Sequence, residues 1–168
     1  MSWLPLTAEG ETPIDGVFNL RADLYEKFKD FYFQLWNPPK IDPVILELCR
    51  LRIAQLHGCQ SEEQVRYEPA RAAGLTDEKI GVLANWRETE IFTMRERACL
   101  VFAENFALAV HCIGDDEVAE LSRHFDAKQI VALCEAVALF DGFSRFRVIL
   151  GVQARDGVVD PEHSRLLY

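Results

Sequence analysis

The sequence predicts an all-α protein, and three observations lead there. Apolar residues recur at helical spacing through most of the chain, and the recurring segments are separated by capping residues, glycines and prolines. No alternating apolar–polar run is bounded by hairpin turns, which argues against a sheet. Two segments are apolar nearly all round, as helices are when they lie at the centre of a bundle or in a subunit interface. At 168 residues the chain is expected to form one domain whose core stands without disulfides or structural metal.

Residues 1–20 carry scattered Pro, Gly, Asp and Thr without sustained periodicity and read as an extended arm. A helical domain follows over residues 21–150. Ala22 to Trp36 forms its first helix, stopped by Asn37-Pro38-Pro39 because proline disfavours helical geometry in the residue before it. Asp42 caps a second helix with Pro43 at its first position, and Gly58 suits the left-handed turn just past His57. Ser61 with Gln64 reads as a capping box for a third helix through Ala73, ended at Gly74. Thr76-Asp77-Glu78 begins a short fourth. Thr93 with Glu96 is another capping box, opening a long helix to about His111 that ends near Gly114. Asp115-Asp116-Glu117 places acid in the first turn of the next helix, where the dipole favours it. Asp126 with Gln129 caps a last long helix through roughly Ile149, and residues 151–168 form a polar tail. The second and last helices are the ones apolar nearly all round.

The charge balance narrows the partners. With 18 Lys and Arg against 27 Asp and Glu the formal charge is −9, the wrong sign for a surface that meets phosphate. Nucleic acid and membrane surfaces are therefore not expected partners. No uncharged apolar run approaches the roughly 18 residues of a transmembrane helix, and the N-terminus lacks the basic start and apolar core of a secretory signal. A cytoplasmic location is expected, with the five cysteines kept as thiols unless they do redox chemistry.

Chemistry concentrates in residues 47–62. Glu47, Arg50 and His57 fall on one side of the greasy second helix, within an angular spread of about 80°. Polar groups on a buried helix must be paired, and burial tends to raise a glutamate's pKa. Cys59 falls in the joint before the next helix, where the dipole and free amides favour thiolate. From residue types alone the simpler reading is a structural Glu47–Arg50 ion pair with Cys59 as an apolar filler. His57, Cys59 and Glu62 straddle a helix joint at no established ligand spacing, so neither metal nor cofactor is expected. Trp36, Trp86 and Phe92 line a pocket or, as aromatics at such positions usually do, fill the core.

The stretch "ELCRLRIAQLHGC" resembles the alkylhydroperoxidase D / carboxymuconolactone decarboxylase family. That family's signature reads Glu, Arg five positions on, then Gly-Cys-x-x-Cys-x-x-x-His, and Glu47, Arg52, Gly58 and Cys59 match it. Trp86-Arg87-Glu88, Phe92-Thr93 and Arg95-Glu96-Arg97-Ala98 resemble its peroxidase-related branch, and His124-Phe125 makes a third block. The resemblance implies an alkylhydroperoxidase D-like helical bundle, a homo-oligomer (dimer, trimer or hexamer) and a peroxiredoxin-type antioxidant thiol peroxidase. In such members two cysteines cycle between dithiol and disulfide while Glu and His relay the proton.

This chain departs from the signature at two positions: Glu62 stands where the second cysteine would be and Arg66 where the histidine would be. Cys49 cannot replace the missing thiol, because ten residues of helix separate it from Cys59 by about 15 Å, beyond the roughly 7 Å between Cα atoms that a disulfide tolerates. Cys99, Cys112 and Cys134 read as buried structural thiols. Three readings follow. A one-cysteine peroxidase would use Cys59 with Glu47. A cofactor-free acid–base lyase or isomerase on a small carboxylate would use Arg66 as anchor and Glu47 or Glu62 as base. A non-catalytic binding or assembly protein would show a dry, filled pocket around residues 47, 59, 62 and 66. Glu62 and Arg66, four apart, are also placed for a simple surface ion pair.

Overall fold

The computed structural model describes residues 4, 13–37, 39–152 and 157–159. α2 (Ala22–Trp36) and α3 (Pro43–His57) have the expected ends, with the Asp42 carboxylate accepting from Val44 N–H at 2.9 Å. α7 (Met94–Leu108) and α9 (Ala127–Leu150) both start with complete capping boxes, on Thr93/Glu96 and Asp126/Gln129. α6 (Asp77–Gly81) is capped by Thr76, and α8 (Asp115–Ser122) carries its three acids in the first turn. The all-α class stands. No described helix is long and apolar enough to cross a membrane.

Four expectations need correction. The arm is not extended throughout: Pro13–Phe18 forms α1 and Asn19–Arg21 a 3-10 turn, because Ile14, Val17 and Phe18 share one face and the first two are fully buried. Apart from Leu4, residues 1–12 lie outside the described residues.

The helix expected over 61–73 breaks into α4 (Gln60–Gln64), an extended β1 (Val65–Tyr67) and α5 (Glu68–Ala72). Pro69 is the reason. Inside a continuous helix it would lack an N–H for the Val65 carbonyl and its ring would clash there, whereas here it sits in the first turn of α5. Cys59, not Ser61, takes the N-cap position of α4, without a side-chain cap. The third correction concerns sheet: β2 (Gly157–Val159), in the segment expected to be a polar tail, pairs in parallel with β1. Finally, α7 stops at Leu108 and Val110–Cys112 is a 3-10 turn with Cys112 exposed, and Cys134 on α9 is only half-buried. The rest of the tail, His163 included, lies outside the described residues.

α3 is central and has two buried faces. Ile45, Leu46, Cys49 and Ile53 pack into a core shared with α2, α7, α8 and α9. Val44, Leu48 and Leu51 pack on the other side against Ala70, Leu83, Trp86, Phe92 and Leu100. That double burial is why the helix is apolar nearly all round. Trp36, Trp86 and Phe92 are core residues, each almost fully buried.

Candidate functional site

The charged residues of α3 come first. Glu47 and Arg50, three apart, lie one turn over each other, and both are fully buried. Glu47 holds the guanidinium through two bonds, Nε to Oε2 and Nη2 to Oε1, each 2.8 Å. Gly58 (φ 62°) then turns the chain sharply, with Cys59 N–H returning to the Ala54 carbonyl at 2.9 Å. The reversal brings α4 back across α3 and aims Glu62 at the far side of Arg50. Arg50 Nη1 donates to Glu62 Oε2 and to the Glu62 carbonyl, both at 2.7 Å, and Nη2 donates to the Val65 carbonyl at 2.7 Å. All five guanidinium N–H groups are thereby used. Burial alone would weaken the protonated form, but the charges of Glu47 and Glu62 hold the Arg50 pKa well above its ordinary value.

The other oxygen of Glu62 accepts from Arg147 Nη1 of α9. Glu47, Arg50, Glu62 and Arg147 thus form a continuous run of alternating charge, summing to zero, with every member fully buried. Aromatic rings wall it in: Arg50 lies 5.0 Å from the Tyr67 ring centroid, Arg147 lies 5.4 Å from that of Phe143, and Tyr67 stacks on Trp36 at 4.5 Å. Four desolvated charges are tolerable only when mutually paired, as here.

Each expected site residue can now be placed. Glu47 and Glu62 are brought together, through Arg50. Cys59 is buried beside them in the chain, and its Sγ lies 3.3 Å from Ser61 Oγ. Arg66 does not join them. The chain is extended from Val65, so the four-residue helical spacing to Glu62 is lost. Arg66 is half-buried and its Nη1 donates to the Glu63 and Val65 carbonyls. The expected Glu62–Arg66 ion pair is therefore absent, and the arginine between carboxylates is Arg50. His57 also leaves the Glu47–Arg50 side, pairing with Asp141 of α9 at 2.5 Å. Sequence reasoning missed Arg147 altogether. Its signal is an arginine at helical spacing from Phe143, Ser144 and Leu150, on the apolar side of the helix, a cation that has to find a carboxylate.

Cys49, Cys99 and Cys134 are held by burial, while Cys112 is exposed. Cys49 and Cys99 are buried where α3 meets α7, with Cys49 Sγ donating to the Cys99 carbonyl at 3.7 Å. Burial pushes both upward, Cys49 well above the ordinary thiol value and Cys99 to about 12. Burial also raises Cys134. Among the described residues no group of three or more His, Cys, Asp or Glu is placed to hold a metal ion. A half-open cleft of about 100 Å³, lined by Phe31, Leu35, Ile41, Leu46, Lys40 and Glu135, lies elsewhere, between α2, α3 and α9.

The second family-like block has its own centre. Glu104 of α7 accepts from Arg52 Nε at 2.6 Å and Trp86 Nε1 at 2.9 Å, and pairs with Arg87. Burial would raise its pKa, but the three donors outweigh burial and hold it below the usual carboxylate range. A carboxylate depressed in the folded state adds stability above its unfolded pKa, and that stability is lost as pH falls through the folded value. Glu104→Gln is expected to cost about 2 kcal/mol at neutral pH and to come closer to the wild type as pH falls through and below the carboxylate range. Urea midpoints across that pH range check it. Arg52 and Trp86-Arg87, which match in sequence, thus act structurally, tying α3 to α7.

With the geometry in hand, the class can be stated: the model for the carboxymuconolactone decarboxylase family matches residues 22–105, half of the chain, and the chain belongs to that family. Escherichia coli YnjA, an uncharacterized protein, is 28% identical over 116 residues, 68% of this chain and 63% of YnjA, so the chain spans less than two thirds of that relative. A crystal structure from Agrobacterium tumefaciens, described as a putative antioxidant defence protein AhpD, superposes with a TM-score of 0.65 at 21% identity, over 85% of this chain and 97% of that one. The alkylhydroperoxidase AhpD core of an uncharacterized peroxidase-related protein from Ralstonia eutropha gives 0.70 at 16% identity, over 89% and 80%. At those identities the likeness concerns the fold.

Proposed function

We propose that this chain is a non-redox member of its family, a binding or assembly protein in which the position of the reactive thiol serves a buried ion-pair core. One observation carries the reading: Glu62, standing where the family signature has its second cysteine, is fully buried and clamped between Arg50 and Arg147. A carboxylate so held cannot form a disulfide with Cys59. Its oxygens are engaged by two cations, which leaves neither turned to a substrate proton. Both Glu47 oxygens are likewise taken, by Arg50 and by the Tyr67 N–H at 3.3 Å. Assembly with further copies in the cytoplasm belongs to the same proposal, supported by apolar side chains left exposed on α2 and α9 (Leu24, Phe31, Val131 and Ile149) and by five free thiols.

One feature supports a second reading. Cys59 keeps the place of the first signature cysteine, and the Ser61 hydroxyl beside its sulfur is a possible donor to a thiolate. Under that reading peroxide oxidises Cys59 and an external thiol reduces it. The two are separated by following hydrogen peroxide and tert-butyl hydroperoxide with dithiothreitol as reductant. Wild type and Cys59→Ser are expected to consume both at the rate of dithiothreitol alone. A rate that depends on Cys59 would overturn the first reading in favour of the second.

A further inference from the structure

α9 is apolar nearly all round, and one face of it, with Val137, Phe140 and Phe143, is spent on the core. A second face looks out. Val131, Glu135, Ala138, Gly142, Arg145 and Ile149 are all exposed, Val131 at 57% and Ile149 at 65%. Their spacing alternates between four and three residues, which keeps them on one line along the helix for about 27 Å. Four of these six are apolar or small, whereas a helix face turned to solvent is ordinarily polar. Exposed apolar side chains widen the face on both flanks. Leu108 and Val110 border Arg145, whose Nη2 donates to the Ala107 carbonyl at 2.8 Å. Phe31 borders Glu135 across the cleft that both line.

Along that line the residue types mirror one another: an aliphatic at each end, a charge next, small residues in the middle. Only the sign of the charge changes, from acid at Glu135 to base at Arg145. The pairs Val131 and Ile149, Glu135 and Arg145, and Ala138 and Gly142 share one midpoint, level with residue 140. We propose that this face docks on the same face of a second copy, antiparallel about a two-fold axis at that level. Val131 then meets Ile149 of the partner subunit, Glu135 meets Arg145 of the partner subunit, and Ala138 meets Gly142 of the partner subunit, each contact occurring twice. A parallel pairing would set Glu135 on Glu135 and Arg145 on Arg145, so charge selects the antiparallel one. The small residues let the two backbones approach, and Gly142 has open space where a Cβ would stand. Arg145 is already positioned: its Nε donates to both Asp141 oxygens, at 3.1 and 3.0 Å, with the side chain still 49% exposed.

The contact gives the assembly proposed above its surface and its partner, and rests on that reading. Sedimentation equilibrium on the full-length protein tests it. The wild type is expected to contain an even number of copies. Gly142→Arg puts a long charged side chain at the centre of the contact but into open space within its own chain. It is expected to halve the mass at unchanged helix content, while Val118→Arg, exposed on α8, leaves the mass as it is. Glu135→Lys sets like charges face to face at two places and is expected to raise the dissociation constant at least about tenfold. A monomeric wild type, an odd number of copies, or wild-type mass in Gly142→Arg would overturn the contact. The same loss with Val118→Arg, or Glu135→Lys dissociating as the wild type does, would overturn it too. Peroxide turnover that depends on Cys59 would remove the non-redox reading and leave these masses unchanged, so the two fail separately.

Discussion

Arg50→Met is expected to destabilise the protein severely. The guanidinium is the cation between Glu47 and Glu62, and it also donates to the backbone carbonyls of Glu62 and Val65. Methionine fills much of its volume but leaves two buried carboxylates facing each other and takes the guanidinium donor from the Glu62 carbonyl, while the Val65 carbonyl keeps only Arg66. Removing one partner of a buried, hydrogen-bonded pair costs about 3–5 kcal/mol. For a domain of this size that lowers the melting temperature by roughly 6–20 °C. Calorimetry on purified protein reads it directly. The ion pairs exposed at the surface, such as Arg21–Asp23, provide the contrast: Arg21→Met is expected to change the melting temperature very little.

Glu62→Cys rebuilds the Cys-x-x-Cys spacing, and it is expected to weaken the protein rather than confer activity. A thiol at position 62 withdraws the carboxylate from both Arg50 and Arg147, two fully buried cations. The expected loss is again about 3–5 kcal/mol. Adding Arg66→His to complete the signature does not recover it, because position 66 lies beyond the turn into β1 and makes no bond to Glu62. Arg147→Leu, which removes the cation that faced the Glu62 carboxylate, is expected to recover part of it. In a double-mutant cycle Glu62→Cys and Arg147→Leu should couple by about 1–3 kcal/mol. Independent effects would mean that Arg147 is not the counter-ion of Glu62.

How far the sequence reaches can be judged from these same residues. Helix ends were readable where local chemistry decides them: Asp42-Pro43, Thr93/Glu96, Asp126/Gln129 and Gly58 act on their own backbone within four residues. At residues 61–73 the Ser61/Gln64 spacing points to a helix start, but Pro69 lacks the N–H that a continuous helix needs and decides the local structure. β1 and its partner β2 are ninety-two residues apart in register, and three-residue strands leave no alternation to detect. The site divides in the same way. Glu47–Arg50 is a one-turn pair visible from spacing, whereas Glu62–Arg147 joins positions 85 residues apart and depends on how α9 packs against α3. The family resemblance held because its blocks build the scaffold, Arg52, Trp86 and Arg87 converging on Glu104. The two positions at which the chain departs from the signature, 62 and 66, are those of its second cysteine and its histidine.

Peroxide turnover is the most direct measure of whether the thiol site has become a structural ion-pair core. Wild type, Cys59→Ser and Glu62→Gln are compared with hydrogen peroxide and an organic hydroperoxide at equal protein concentration, each variant first checked for native helix content. Rates equal to that of the reductant alone in all three are the expected result. Turnover in the wild type that disappears with Cys59→Ser would contradict it.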